Sequence, residues 1–314
     1  MAMDEATQQP KNRRKWTKIL RWVGSAASLA LFIWLLARQD WGRVLAHLER
    51  IPLYVILAVF ALYVCGQVLN AVRWHVLLRA QAVPIGLWDA TRIVFAGAFA
   101  SNFLPSTIGG DAFRFLALFH FCADRALCAG SVLMDRIMNV AAMVTMMPLA
   151  LVTFGGQLSA LVKGRAESSL ALVSGWGWFN RLWRKFFSGL EQAFRLWARQ
   201  PLVLLRVFVI SWFSIFVVMI GVWILARGLA IPVALYQVMG VMATTYLLTL
   251  LPISINGYGV REVAITALYM HLGATVEQAS ALAIITRLFM VMETVPGALW
   301  MARFLPGDGQ PRRI

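Results

Sequence analysis

The sequence predicts an all-α polytopic membrane protein, with about six full spans and two broken-helix hairpins arranged as an inverted repeat. Three observations carry this. Hydrophobic residues make up 60% of the 314 residues and charged residues only 14%, against about 25% charged in a soluble domain. Several apolar stretches are long enough to cross a hydrocarbon core of about 30 Å. One interruption, built from proline, glycine and arginine, occurs twice. The short alternating segments that mark a membrane β-barrel are missing.

The elements follow in order. A basic tail over 1–18 carries Lys11, Arg13, Arg14, Lys15 and Lys18 and leads into a first span at 19–37. No small-residue cleavage site follows that span, so it is expected to be a retained anchor rather than a signal peptide. The second span covers 52–72, and "NAVRWHVLLRA" after it places Arg73, Trp74 and Arg79 at a membrane interface. The next apolar piece, 90–104, would reach only about 22 Å as a helix, too short to cross comfortably. It ends in "NFLPSTIGGDAFRF". A full span at 126–154 follows, with Asp135 and Arg136 inside it.

The 158–179 stretch contains Lys163, Arg165 and Glu167 and is expected to cross. A basic amphipathic segment at about 180–200 then lies on the membrane surface, with Leu182, Phe186, Leu190 and Phe194 on one stripe. Clear spans follow at 201–226 and 279–301. Between them 233–250 runs into "LPISINGYGVRE" and the short piece 260–271. The expected organisation is therefore a single transmembrane domain over 19–302 and a second tail over 303–314. Its two repeats lie at about 83–154 and 231–301.

The repeat is wider than the motif. "VPIGLWDATRIVFAGAFASNFLPSTIGGDAFRF" aligns with "IPVALYQVMGVMATTYLLTLLPISINGYGVREV". Pro105, Gly110 and Arg114 recur as Pro252, Gly257 and Arg261, and each copy leads to a long span carrying an arginine, Arg136 or Arg287. Duplicated broken helices point to a transporter's substrate site.

The net charge of +15 does not indicate nucleic acid. Its clusters flank spans, as the positive-inside rule requires. With both hairpins re-entrant and 158–179 crossing, the N-terminus, the middle cluster and the C-terminus all face the cytoplasm. Cys65, Cys122 and Cys128 form no CxxC pair and suggest neither a disulfide framework nor a metal site. The four histidines show no ligand spacing. No Ser/His/Asp set, HExxH or Walker loop points to an enzyme, and no cofactor is expected.

Breaking a helix inside a bilayer frees backbone groups that cost several kcal/mol each unless satisfied. Ser254 in the second turn is suited to satisfying some of them. A new helix beginning near Gly110 or Gly257 offers N–H groups and a dipole to an anion. Arg114 or Arg261 one turn later can grip a phosphate bidentately. Asp111 and Arg114 share a face at i,i+3, whereas Glu262 and Arg261 diverge. The charged residues admit three readings: phosphate binding, structural neutralisation, or proton coupling by an acid.

"NFLPSTIGGDAFR" resembles the N-x-L-P-x-x-x-G-G-[D/E]-x-x-R signature of the flippase-like family named for the transmembrane domain of lysylphosphatidylglycerol synthase. "LPISINGYGVRE" resembles that family's second signature. The resemblance extends from Asn70 to the final span. It maps the first signature onto Asn102, Pro105, Gly109, Gly110, Asp111 and Arg114, and the second onto Pro252, Gly257, Gly259, Arg261 and Glu262. It implies a multi-spanning bacterial inner-membrane protein that moves a phosphate-containing or anionic lipid, or a lipid-linked intermediate, between leaflets. The sequence ends soon after its final span, so the soluble aminoacyl-transferase domain of the synthases is not expected. Membrane lipids are the expected partners, alongside a separately encoded lipid-modifying enzyme. The alternative is an enzyme subunit or scaffold in lipid, glycolipid or hopanoid assembly.

Overall fold

The computed structural model describes residues 51–103, 109–155, 197–250 and 258–304, and among these every regular element is helical. Helices α1 (Leu53–Ala80), α2 (Leu87–Phe103), α3 (Gly109–Leu118) and α4 (Arg125–Val144) are followed by α5, residues 147–155. The second series is α6 (Pro201–Gly228), α7 (Leu235–Leu250), α8 (Val260–His271), α9 (Val276–Met292) and α10 (Pro296–Phe304). Four helical stretches among the described residues are long and apolar enough to cross a membrane: Leu53–Ala80, Arg125–Gly155, Pro201–Gly228 and Val276–Met301. The spans expected at 19–37 and 158–179 lie outside the described residues, as do nearly all of the amphipathic segment and both tails.

The duplication read from the sequence is repeated in the backbone. Both α1 and α6 contain 28 residues. Each ends at an alanine with positive φ, 57° at Ala82 and 58° at Ala230. Val83 N–H bonds the Leu78 carbonyl at 3.2 Å, and Ile231 N–H bonds the Ala226 carbonyl at 2.9 Å. This six-to-one closure stops a helix by satisfying a terminal carbonyl. Pro84 and Pro232, which have no N–H to offer a continuing helix, follow at once. Both chains then turn back into the shorter α2 and α7.

Helices α1 and α6 form the most extensive pairing in the fold, and they run antiparallel. Ile51 packs on Gly228, Ser214 Oγ donates to the Gly66 carbonyl at 3.0 Å, and Gln200 Nε2 donates to the Ala80 carbonyl at 3.1 Å. Gly66 and Ser214 occupy matching positions in the two series, so each series meets its counterpart where they touch. Trp197, fully buried, seals one end by donating from Nε1 to the Leu77 carbonyl at 3.0 Å.

The long spans are bent. Residues 145–146 separate α4 from α5, and residues 293–295 separate α9 from α10. Pro148 and Pro296 stand just beyond these turns, where a missing N–H interrupts the helical ladder. The bent ends cross over. Helix α10 packs on α2, with Gly297 against the Phe95 carbonyl. Helix α5 packs on α7, where a Cβ on Gly240 would lie 3.0 Å from the Leu149 carbonyl.

What faces outward fits lipid. Leu202, Leu205, Val209 and Phe213 of α6 are 69%, 58%, 56% and 54% exposed and form one helical stripe. Val207, Ser211 and Ser214 on the opposite face are buried. Continuous apolar stripes of this kind are costly in water and suited to hydrocarbon.

Candidate functional site

The first hairpin owes its geometry to two glycines. A Cβ on Gly97 would lie 2.9 Å from the Gly110 carbonyl, and one on Gly110 would run into the Gly97 carbonyl. Helices α2 and α3 therefore touch backbone to backbone. This contact draws Asp111 and Arg114, in the first and second turns of the short α3, against the flanks of α1 and α4.

A polar cavity of about 160 Å³ opens there, lined by residues of α1, α2, α3 and α4 that include Gln67, Asn70, Ser101 and Gly110. Its centre is Asp135, 3% exposed. One oxygen accepts from Arg73 Nε at 2.6 Å and the other from Arg114 Nη1 at 2.9 Å. Arg73 also donates from Nη1 to Asn139 Oδ1 at 3.0 Å and to Ser211 Oγ at 3.3 Å. Asn139 in turn donates from Nδ2 to Tyr246 Oη at 3.1 Å. The network thus reaches α6 and α7 of the second series. Asp111 pairs closely with Arg136 and more loosely, at 3.9 Å, with Arg114.

Arg114 is the unusual member. Its guanidinium lies 4.4 Å from the centre of the Trp74 ring, in cation–π contact. Nη1 is taken by Asp135, but Nε and Nη2 are buried and meet no acceptor among the described residues. These two N–H groups form the edge with which arginine grips a carboxylate or phosphate bidentately. Three arginines (73, 114, 136) face two aspartates (111, 135), so this set of cavity residues carries one positive charge in excess.

The second series builds a different arrangement from matching parts. Glu262 accepts from Arg287 Nε at 2.5 Å, as Asp111 pairs with Arg136 in the first series. Its other oxygen accepts from Gly259 N–H at 2.8 Å, so the start of α8 is capped by its own acid. Gly259 has φ 81°, a left-handed conformation that suits glycine. The Arg287 guanidinium lies 4.3 Å from the Tyr258 ring centre. Arg261 points elsewhere, and its Nη1 is buried with no acceptor among the described residues.

Asn102, Gly109, Gly110, Asp111, Arg114, Asp135, Arg136, Gly259, Arg261, Glu262 and Arg287 are all described. Pro105, Pro252, Ser254 and Gly257 lie outside the described residues. Asn102 closes the first hairpin against the bend after α9, donating from Nδ2 to Thr294 Oγ1 at 3.0 Å.

Arg73 and Trp74 correct the sequence reading. They are 4% and 0% exposed inside the bundle rather than placed at an interface. Taking the span to end near 72 put them at its rim, but α1 continues for two more turns to Ala80. Gln67, Asn70 and Arg73, spaced by three along a helix, were the available signal for a polar stripe. Asn139 and Ser211 carried none.

A polar cavity beside the first of two matching hairpins thus lies among helices whose outer faces are apolar. The family model for the lysylphosphatidylglycerol synthase TM region matches residues 21–297. The chain belongs to that family. No curated protein matches it. The match extends over both hairpins and all of the described spans but the last few residues of Val276–Met301, so cavity and second cluster alike fall within the family domain.

Proposed function

We propose that this member of the lysylphosphatidylglycerol synthase TM family carries a phosphate-containing lipid between the leaflets of the bacterial inner membrane. The observation that supports this is the unpartnered Nε/Nη2 edge of Arg114, buried beside a cavity whose charged residues carry one excess positive charge. A phosphodiester is a singly charged oxyanion whose geometry suits that edge. Its acyl chains would remain among the exposed leucines and phenylalanines while the headgroup exchanges water for Arg114, Asn70 and Ser101.

In this reading the α2–α3 and α7–α8 hairpins are re-entrant and enter from opposite faces, because the matching α1 and α6 run antiparallel. The completed chain then has about six full spans, with both termini in the cytoplasm. The protein makes and breaks no covalent bond, and a separate enzyme supplies or consumes the lipid.

The test is transfer of a labelled anionic phospholipid between leaflets of proteoliposomes, with folding verified independently. Arg114→Lys keeps the charge but loses the planar fork, and is expected to slow transfer by about tenfold or more. Arg114→Gln leaves Asp135 paired with Arg73 and Asp111 with Arg136, so it should fold yet remain inactive. Transfer at the wild-type rate by that variant would reduce Arg114 to scaffolding and overturn the proposal.

A further inference from the structure

Tyr63 on α1 and Tyr269 on α8 are 1% and 0% exposed, and both belong to one apolar cluster that includes Ile265 and Phe289. Neither hydroxyl meets a hydrogen-bond partner among the described residues, and the same is true of Arg261 Nη1. Both tyrosines lie within electrostatic range of the Arg261 guanidinium. An orphaned buried polar group costs about 1–3 kcal/mol, and a buried cation more. These three unpartnered donors share one buried, electrostatically coupled neighbourhood, and an acceptor entering it would satisfy them.

The repeat shows why they are together. In the first series the cavity lies level with the contact between Arg73 and Ser211. The matching positions of the second series are Gly221 and Tyr63. These two do touch, a Cβ on Gly221 lying 3.6 Å from Tyr63 Cε2. Where the first series places a cation on its core helix, the second has a glycine, and Tyr63 occupies the space. The nearby acids do not fill the seat. Glu262 is committed to Arg287 and Gly259, while Glu293, in electrostatic range of Tyr63, makes no hydrogen bond to it.

We infer that Tyr63, Arg261 and Tyr269 form a second oxyanion seat that takes a phosphate group, separate from the cavity at Arg114. Phenolic O–H and guanidinium N–H groups are all donors here, and a charged oxygen rewards such a set most strongly. This deepens the reading above and rests on its membrane placement, but not on transport itself.

Native mass spectrometry of the full chain tests the seat with three probes: short-chain phosphatidylglycerol, short-chain diacylglycerol and inorganic phosphate. The wild type is expected to hold two phosphatidylglycerol molecules and no diacylglycerol. Arg114→Gln should hold one. Tyr63→Phe with Tyr269→Phe should weaken one of the two binding events about tenfold, and all three substitutions together should abolish both. Removing unpartnered hydroxyls does not endanger folding, so the tyrosine variant should melt no lower than wild type without lipid. Competition by inorganic phosphate at this seat would identify free phosphate as the occupant, and its absence would identify the lipid headgroup. Unchanged binding of two lipids by the tyrosine variant overturns the seat. Two lipids retained by Arg114→Gln, with one lost from the tyrosine variant, would leave the seat standing while the Arg114 reading falls.

Discussion

Replacing Asp135 by asparagine removes the carboxylate that hydrogen-bonds both Arg73 and Arg114. Arg73 and Arg114, with side chains 5% and 11% exposed, would then keep only neutral partners and the distant Asp111 at 3.9 Å. Breaking a buried ion pair from one side costs about 3–5 kcal/mol, because the surviving charge is left in a poorly solvating interior. Two cations depend on this acid, which favours the upper end of that range. The same change raises the excess charge of the ionised cavity residues from one to two. An anionic headgroup about 4 Å away would gain on the order of 4 kcal/mol from one further unit charge at an effective dielectric of about 20. Asp135→Asn should therefore unfold well below wild type in neutral-lipid nanodiscs and recover much of the difference in nanodiscs of anionic phospholipid. Thermal melts followed by tryptophan fluorescence in the two lipid compositions measure both effects. Equal destabilisation in both lipids would refute the argument that the cavity accepts an anion. No destabilisation in either would refute the central role given to Asp135.

The hairpin contact makes a steric prediction. Gly110→Ala places a methyl group against the Gly97 carbonyl and should cost about 1–3 kcal/mol, read as a lower melting temperature and less lipid bound at the Arg114 cavity. The proposed topology is checked in intact cells with single cysteines at Arg13, Lys185 and Arg312. All three should be protected from a membrane-impermeant thiol reagent, and labelling of any one would contradict a cytoplasmic placement.

The helices were legible to within a few residues wherever composition set their limits. The 201–226 span extends only to Gly228, and 260–271 coincides with Val260–His271. Where an apolar run merges into polar helix, as after Val72, hydropathy marks the end of the greasy stretch and not of the hydrogen-bonded ladder. That is why Arg73 was read as interfacial. The motif acids and arginines were legible as a set, but not their pairing. Local spacing offers Arg114 to Asp111, whereas packing delivers it to Asp135 on another helix at 2.9 Å. Likewise Glu262 turns from its neighbour Arg261 to Arg287, 25 residues away. Such choices depend on how helices cross, which a single sequence leaves unstated. The bends at 145–146 and 293–295 were signalled by Pro148 and Pro296 but went unread, because hydropathy passes straight through them.

The exchanged ends of the bent spans bear on how the chain is made. Helix α2 packs on its neighbours α1 and α3, but one of its faces is covered by α10, at the far end of the sequence. Ribosomes add about 5–20 residues per second, so roughly 190 residues separating the two elements amount to some ten to forty seconds of synthesis. Throughout that interval the face of α2 at Phe95 that Gly297 will later cover is without that neighbour, and the first hairpin resides in the membrane half-assembled. A ribosome stalled before residue 296 would leave a nascent product whose first half is inserted but not closed.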